Sequence, residues 1–151
     1  MRFLIKPGGV APKRAHDNDA GFDLFIQPKK SNGLLLLPKA PLVIDTNVVV
    51  DLPDGWFAKI ESRSSLALEG VIATGGVIDS DYVGTIKVIL HNITDSATFI
   101  LTKGAIAQLV LYPLFRQPVS VVDFDEQDAV IAAKMQKRGT KGFGSTNKEK
   151  K

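Results

Sequence analysis

An all-β fold, built as an antiparallel sandwich or barrel, is what the sequence predicts, on three observations. Its apolar segments are short and rich in β-branched residues, turn residues bound them, and no long segment with a 3.6-residue apolar period lies between them. Helices alternating with the strands would have argued for βαβ units instead. In chain order, "LVIDTNVVVDLPDG" reads as a strand running into a Pro-Asp-Gly turn, "WFAKI" as another strand and "TIKVILHN" as a third. "ATFILTKG", "AIAQLVLYP" and "VSVVDF" follow, separated by Gly, Pro or Asp. One short helix is expected, "SSLALEG", with Ser64 or Ser65 as its N-cap and Gly70 at its end. The stretch "QPKKSNGLLLLPKAP" reads as a loop with a short strand.

Bulk properties narrow the function classes. At 151 residues the chain fits one domain with a sizeable core. Hydrophobic content of 44% and charged content of 23% are those of a soluble globular protein, and no apolar run approaches the roughly 18 residues that span a bilayer. The opening "MRFLIKPGGVAPKR" has too short an apolar core for a signal peptide, so a cytoplasmic location is expected, or the host cytoplasm for a viral protein. Without cysteine there is no disulfide and no thiolate metal site, and His16 and His91 are the only nitrogen ligands, which argues against structural zinc. The net charge of +3 is uneven: residues 134–151 hold seven Lys and Arg against one Glu, leaving the rest at about −3. Residues 1–133 therefore read as a β-rich domain and 134–151 as a flexible C-terminal arm. A solvated tail is the plain reading of such an arm. Nucleic-acid binding would ask for basic residues spread over a folded face, and a mobile arm closing over a small polyanion is the third reading.

Four stretches in the β-rich body carry candidate chemistry. In "AGFDLF", Asp23 points away from Phe22 and Leu24 if the segment is a strand, which suits an ordinary half-exposed Asp as well as a ligand. In "ESRSSLALEG", Arg63, Ser64 and Ser65 at a helix start gather a guanidinium, hydroxyls and free N–H groups, a set that suits phosphate; the alternative is a plain cap, with Arg63 paired to Glu61 or exposed. "GGVIDSDYVGTIKV" packs two glycines, Asp79, Asp81 and Tyr82 into a hairpin-like stretch. Extended, the two carboxylates share a face and suit a metal or a general base; folded, they cap a type I or II turn. The paired glycines let a ligand approach the backbone. In "KGAIAQLVLYPL", Gln108 sits on an alternating strand, where a buried amide needs partners.

The tail "RGTKGFGSTN" is neither a P-loop, since no Gly-Lys-Ser/Thr precedes a helix, nor a dinucleotide fingerprint, which opens a βαβ unit. Its N–H groups with Arg138, Ser145 and Thr146 can wrap a polyphosphate while Phe143 stacks on a base, which suggests a nucleoside polyphosphate.

Taken in order, "AGFDL", "SRSSLA", "GGVIDSDYVGTIKV", "KGAIAQLVLYPL" and "RGTKGFGSTN" closely resemble the five motifs of the trimeric dUTPase family, from Ala20 to Asn147. The resemblance implies a jelly-roll-like distorted β-barrel subunit and a homotrimer whose interfacial sites take motifs from more than one subunit. It implies hydrolysis of dUTP to dUMP and pyrophosphate with Mg2+, and no nucleic-acid or membrane partner. By the same resemblance Asp79 holds the 3'-hydroxyl and activates the water that attacks the α-phosphate, and Tyr82 packs under the deoxyribose and refuses a 2'-hydroxyl. Backbone at Gly76, Val77 and Ile78, with the strand near Lys87, reads uracil. Arg63, Ser64, Ser65 and Gln108 hold phosphates, Asp23 reaches magnesium through water, and Arg138, Phe143, Gly144, Ser145 and Thr146 form a lid.

Against the family pattern, Ser62 stands where many members have proline, Ser65 and Lys141 where glycine is frequent, and Asn147 in place of a frequent final glycine. A dCTP deaminase, alone or combined with dUTPase activity, shares the implied fold but relies on a glutamate proton shuttle, whereas "IDSDY" and "GFGST" fall on the dUTPase side. A regulatory binding protein on the same scaffold is the alternative from a different class.

Overall fold

In a computed structural model, residues 1–26, 33–101, 104–125 and 128–137 are described. The chain divides into two compact units, Met1–Arg116 and Gln117–Lys151. Among its described residues the first unit holds eleven strands and one helix: β1 Arg2–Ile5, β2 Gly21–Phe25, β3 Gly33–Leu36, β4 Leu42–Asp45, β5 Val48–Asp51, β6 Trp56–Glu61, α1 Ser64–Leu68, β7 Val71–Thr74, β8 Val77–Ile78, β9 Lys87–Asn92, β10 Thr98–Leu101 and β11 Ala105–Pro113. They pair in the orders β2-β11-β6-β8, β4-β9-β7, β1-β5 and β10-β3. Every strand pair is antiparallel, so the predicted all-β class holds.

Period-two burial explains why these segments are strands. In β9, Val88, Leu90 and Asn92 are buried while Lys87 is exposed, and in β6 Ala58 and Ile60 are buried while Lys59 is exposed. β11 is the spine of the largest sheet: Leu109 faces Phe22 of β2 on one side and Ile60 of β6 on the other and is fully buried. The core gathers Leu24, Leu36, Val48, Val71, Ile86, Val88, Leu90, Ile106 and Leu109. Its buried polar side chains have partners: Asn92 donates to the Leu36 and Ser96 carbonyls at 3.1 and 2.7 Å, and the Thr46 hydroxyl donates to the Ile86 carbonyl at 2.8 Å.

Several elements differ from the sequence expectation. The single strand read from "LVIDTNVVVD" is two strands in different sheets, β4 beside β9 and β5 beside β1. The break is chemical: Asn47 takes φ 56°, and the Asp45 carboxylate accepts its N–H at 2.8 Å, a local bond that competes with strand pairing. Helix α1 is capped by neither serine; Arg63 is the N-cap, without a side-chain cap bond, while Gly70, at φ 76°, follows the helix end as expected. Residues 27–32 of the glycine-leucine stretch lie outside the described residues, and its short strand is β3.

In the second unit "VSVVDF" forms no strand, and Val119, Val121, Val122 and Phe124 are exposed. A helix the sequence reading did not anticipate, α2 Ala129–Lys137, follows. Asp128 caps it, its carboxylate accepting the N–H groups of Val130 and Ile131 at 2.9 and 3.1 Å. The expected arm from residue 134 thus begins inside this helix, and residues 138–151 lie outside the described residues. Among the described residues no helix is long and apolar enough to cross a membrane.

Candidate active site

Apart from Asp79 and Asp81, the residues singled out in the first unit's sequence fall into two clefts. The first, about 260 Å³, is lined by Asp23, Arg63, Ser64, Ser65 and Gln108 together with Asp19 and the backbone around Gly21. Antiparallel register brings them together. β11 sets Gln108 between Asp23 of β2 and Glu61 of β6, and the chain leaves β6 directly into Ser62 and Arg63. Arg63 does not pair with Glu61, and its side chain is only partly exposed. Its Nε lies 3.1 Å from Asp23 Oδ1 and its guanidinium donates to the Ala105 carbonyl at 3.2 Å, while Glu61 pairs with Lys59 at 2.9 Å. With the Asp23 side chain 19% and the Arg63 side chain 33% exposed, this pair sits well inside the surface, where a charge-assisted bond holds its geometry. Gln108 Nε2 donates to the Ser62 carbonyl at 3.0 Å, answering the question of what a half-buried strand amide bonds to.

The second cleft, about 230 Å³, is lined by Gly76, Val77, Ile78, Tyr82 and Lys87, with Ile60 and Ile86. It is roofed by the turn that follows β8. The Tyr82 N–H donates to the Asp79 carbonyl at 3.2 Å, so Asp79 and Asp81 sit on a turn, and the extended arrangement with both carboxylates on one face does not occur. Asp79 is exposed at the end of β8 and lines neither cleft. The Tyr82 ring folds back across Gly84, where a Cβ would overlap its phenol, and its hydroxyl donates to the Thr85 carbonyl at 3.1 Å. Arg138, Phe143, Gly144, Ser145 and Thr146 lie outside the described residues.

A support for the second cleft escaped the sequence reading. The Thr85 hydroxyl donates to Asp45 at 2.7 Å, the Ile86 N–H donates to the Val48 carbonyl at 2.7 Å, and the Thr46 N–H donates to the Ile86 carbonyl at 3.0 Å. The turn between β4 and β5 therefore grips Thr85 and Ile86, in the segment that runs from Tyr82 into β9. The signal lay in "DTN": Asp, Thr and Asn in a row inside an apolar stretch mark a turn with side-chain-to-backbone bonds. Desolvation pushes the Asp45 carboxyl upward, but bonds from the Asn47 N–H and the Thr85 hydroxyl, with Lys87 and Lys6 nearby, outweigh it and hold the pKa below the ordinary 3.8.

A family model described as dUTPase matches residues 9–147. The chain belongs to the dUTPase family. It is 37% identical over 152 residues to the deoxyuridine 5'-triphosphate nucleotidohydrolase of Tropheryma whipplei (strain Twist), covering 98% of this chain and 95% of that one. To the enzyme of the same name from Clostridium tetani it is 36% identical over 149 residues, 96% of this chain and 94% of the other. Among solved structures, a mutant dUTPase of Staphylococcus bacteriophage 80alpha with dUpNHpp superposes with a TM-score of 0.74 at 25% identity, covering 95% of this chain and 96% of that chain. The departures from the dUTPase pattern at Ser62 and Ser65 fall beside or within the first cleft, and Ser65 lines it with an exposed side chain.

Because the folded-state pKa of Asp45 is lowered, its contribution to stability is complete above 3.8 and is lost as pH falls below that value through the lowered folded one. Asp45→Asn is expected to melt at a lower temperature than the parent at pH 7, with the gap closing below about pH 3.8 in thermal unfolding followed by circular dichroism. A gap that stays constant with pH would remove the carboxylate from this role.

Proposed function

We propose that the chain hydrolyses dUTP to dUMP and pyrophosphate, with a water activated at Asp79 attacking the α-phosphate. The observation that supports this most is the division of labour between the clefts. One gathers a guanidinium, two hydroxyls and a carboxamide, the other exposed backbone and a tyrosine ring. The first set is phosphate chemistry: Arg63, held in direction by Asp23 and the Ala105 carbonyl, presents its remaining N–H groups with Ser64, Ser65 and Gln108. The second set suits a small pyrimidine nucleoside. Apart from its chain neighbours, no described residue has an atom within 4 Å of where a Cβ would stand on Gly76, so a base edge can approach the backbone of residues 76–78 and be read by its N–H and C=O groups. The Tyr82 ring, fixed over Gly84, offers the deoxyribose a flat wall, and refusal of a 2'-hydroxyl is assigned to it on family membership. Asp79 is assigned to take a proton from water on family membership, and its exposed position on the turn before Tyr82 leaves its carboxylate open to water.

Charge argues for a metal on the substrate. Among the described residues the first cleft is lined by one cation, Arg63, against the carboxylates of Asp19 and Asp23, so an entering triphosphate needs positive charge from elsewhere. Among the described residues no group of three or more His, Asp or Glu forms a cage. Hard oxygen donors in small number fit Mg2+, which keeps waters and takes its other ligands from phosphate oxygens, with Asp23 reaching it through water. Bound so, Mg2+ would neutralise the charge that builds on the phosphates. Arg138, Phe143, Gly144, Ser145 and Thr146 are assigned to closing over the nucleotide on family membership alone. The same membership and the exposed Leu4, Ile5, Val43 and Ile93 of the first unit support a homotrimer.

Pyrophosphate release should be measured with Mg2+ and dUTP, UTP, dTTP or dCTP. Hydrolysis confined to dUTP is expected, with kcat falling by about 10²–10⁴ in Asp79→Asn while dUTP still binds, and a large loss in a chain lacking residues 138–151. Ammonia from dCTP, or an Asp79→Asn protein with full kcat, would contradict the assignment. Sedimentation equilibrium should return three times the 16.3 kDa of one chain; a monomer at working concentration would sink the trimer.

A further inference from the structure

Ser62 lines neither cleft, yet each of its two oxygens holds part of one. Its carbonyl accepts the bond from Gln108 Nε2 at 3.0 Å in the wall of the first cleft. Its hydroxyl accepts the Ala73 N–H at 2.9 Å and donates to the Ala73 carbonyl at 3.2 Å. Ala73 stands opposite Leu90 on the β9 side of β7, so this single hydroxyl serves both backbone groups that Ala73 turns the other way, as a paired strand residue would.

Downstream of Ala73 the chain returns to β6 a second time, with Val77 opposite Lys59 and Ile78 opposite Ala58. Segments 58–62 and 73–78 thus run antiparallel and are joined at both ends. Between the joints the strand pairing is open. Gly75 takes φ 136°, Gly76 has open space on its Cβ side, and Ile60 lines the gap that results, which is the second cleft. One end of the opening is closed by backbone pairing. The other is closed by the Ser62 side chain, half-buried and without another partner in those bonds. A proline here, frequent in the family, has no hydroxyl to make either bond.

We propose that the Ser62 hydroxyl is a positioning clasp that fixes the width of the second cleft, so that discrimination between a uracil and a thymine nucleotide depends on a side chain that touches neither base nor phosphate. The proposal rests on reading the second cleft as the base site. Freed from Ser62, Ala73 and the glycines after it can drift from Ile60, and a wider gap admits the 5-methyl group that the narrow one refuses. Turnover at bound phosphate is not what the clasp controls.

Steady-state kinetics on dUTP and dTTP test this with the parent chain, Ser62→Ala and Ser62→Thr. Ser62→Ala is expected to raise KM for dUTP about tenfold with kcat within about twofold, and to cut the dUTP-over-dTTP preference in kcat/KM about tenfold; Ser62→Thr, which keeps the hydroxyl, should hold all three within about twofold of the parent. An unchanged preference in Ser62→Ala, or a loss in Ser62→Thr equal to that in Ser62→Ala, overturns the clasp. A parent chain that does not hydrolyse dUTP at all would instead overturn the reading of the base site. Amide hydrogen exchange on the parent chain needs no variant to fold: the Ala73 N–H should be protected and become slower still with deoxyuridine bound. Exchange at the rate of an exposed loop amide, or no change on binding, would also overturn it.

Discussion

Both clefts depend on where the pairing of β6 stops. On one side β6 is bonded to β11 along all six residues, from Trp56 opposite Pro113 to Glu61 opposite Gln108. On the other it is bonded to β8 at Ala58 and Lys59 only. Full pairing on the β11 side fixes the register, and a one-residue slip there would turn Ala58 and Ile60 out of the core. Half pairing on the β8 side leaves the gap above Ile60. The same strand, continued past Glu61, delivers Ser62 and Arg63 to the first cleft. Only three peptide units, the first of them in a strand held in register, therefore separate the floor of one cleft from the cation of the other.

The polar chemistry inherits that rigidity. Arg63 has a long side chain that would sample many rotamers at the surface; bonded to Asp23 and to the Ala105 carbonyl it has one direction, and its ordering cost is met before any ligand arrives. Its partner is supplied by β2, on the far side of β11, so the ion pair spans the middle strand of the sheet. Holding the guanidinium with a carboxylate also cancels its charge. Among the described residues this leaves a cleft with directional donors and little net attraction for a polyanion, and on the proposed reading the missing charge comes with the metal. The division suits an enzyme that must release pyrophosphate after cleaving it from dUTP.

The sequence made the strands legible because their apolar positions alternate and their ends carry Gly, Pro or Asp; β6, β9 and β11 fall where the pattern put them. It misread the places where side chains bond to backbone. The one break in the apolar run of "LVIDTNVVVD" is Asp-Thr-Asn, and the Asp45 and Thr46 side chains, which bond to Asn47 and Ile86, turn one strand into two. "VSVVDF" has the composition of a strand but no pairing partner among the described residues, and composition alone cannot supply one. Helix α2 was overlooked although Asp128 before an alanine-rich stretch is a start signal. The candidate site was legible in its residue types, since Asp23, Arg63, Ser64, Ser65 and Gln108 do meet. What spacing could not reveal was that Arg63 bonds across to β2, or that Ser62, notable in sequence only as a departure from a proline, ties two strands together.

The central claim is that one cleft takes phosphates and the other takes the base. Amide chemical-shift mapping with the two halves of the substrate supplied separately tests it most directly. Deoxyuridine should shift the amides of Gly76, Val77, Ile78, Tyr82 and Lys87 and leave Asp23, Arg63, Ser64, Ser65 and Gln108 in place, while inorganic pyrophosphate with Mg2+ should do the reverse. If both probes shifted the same set, or if deoxyuridine acted on the Arg63 cleft, the account would be contradicted.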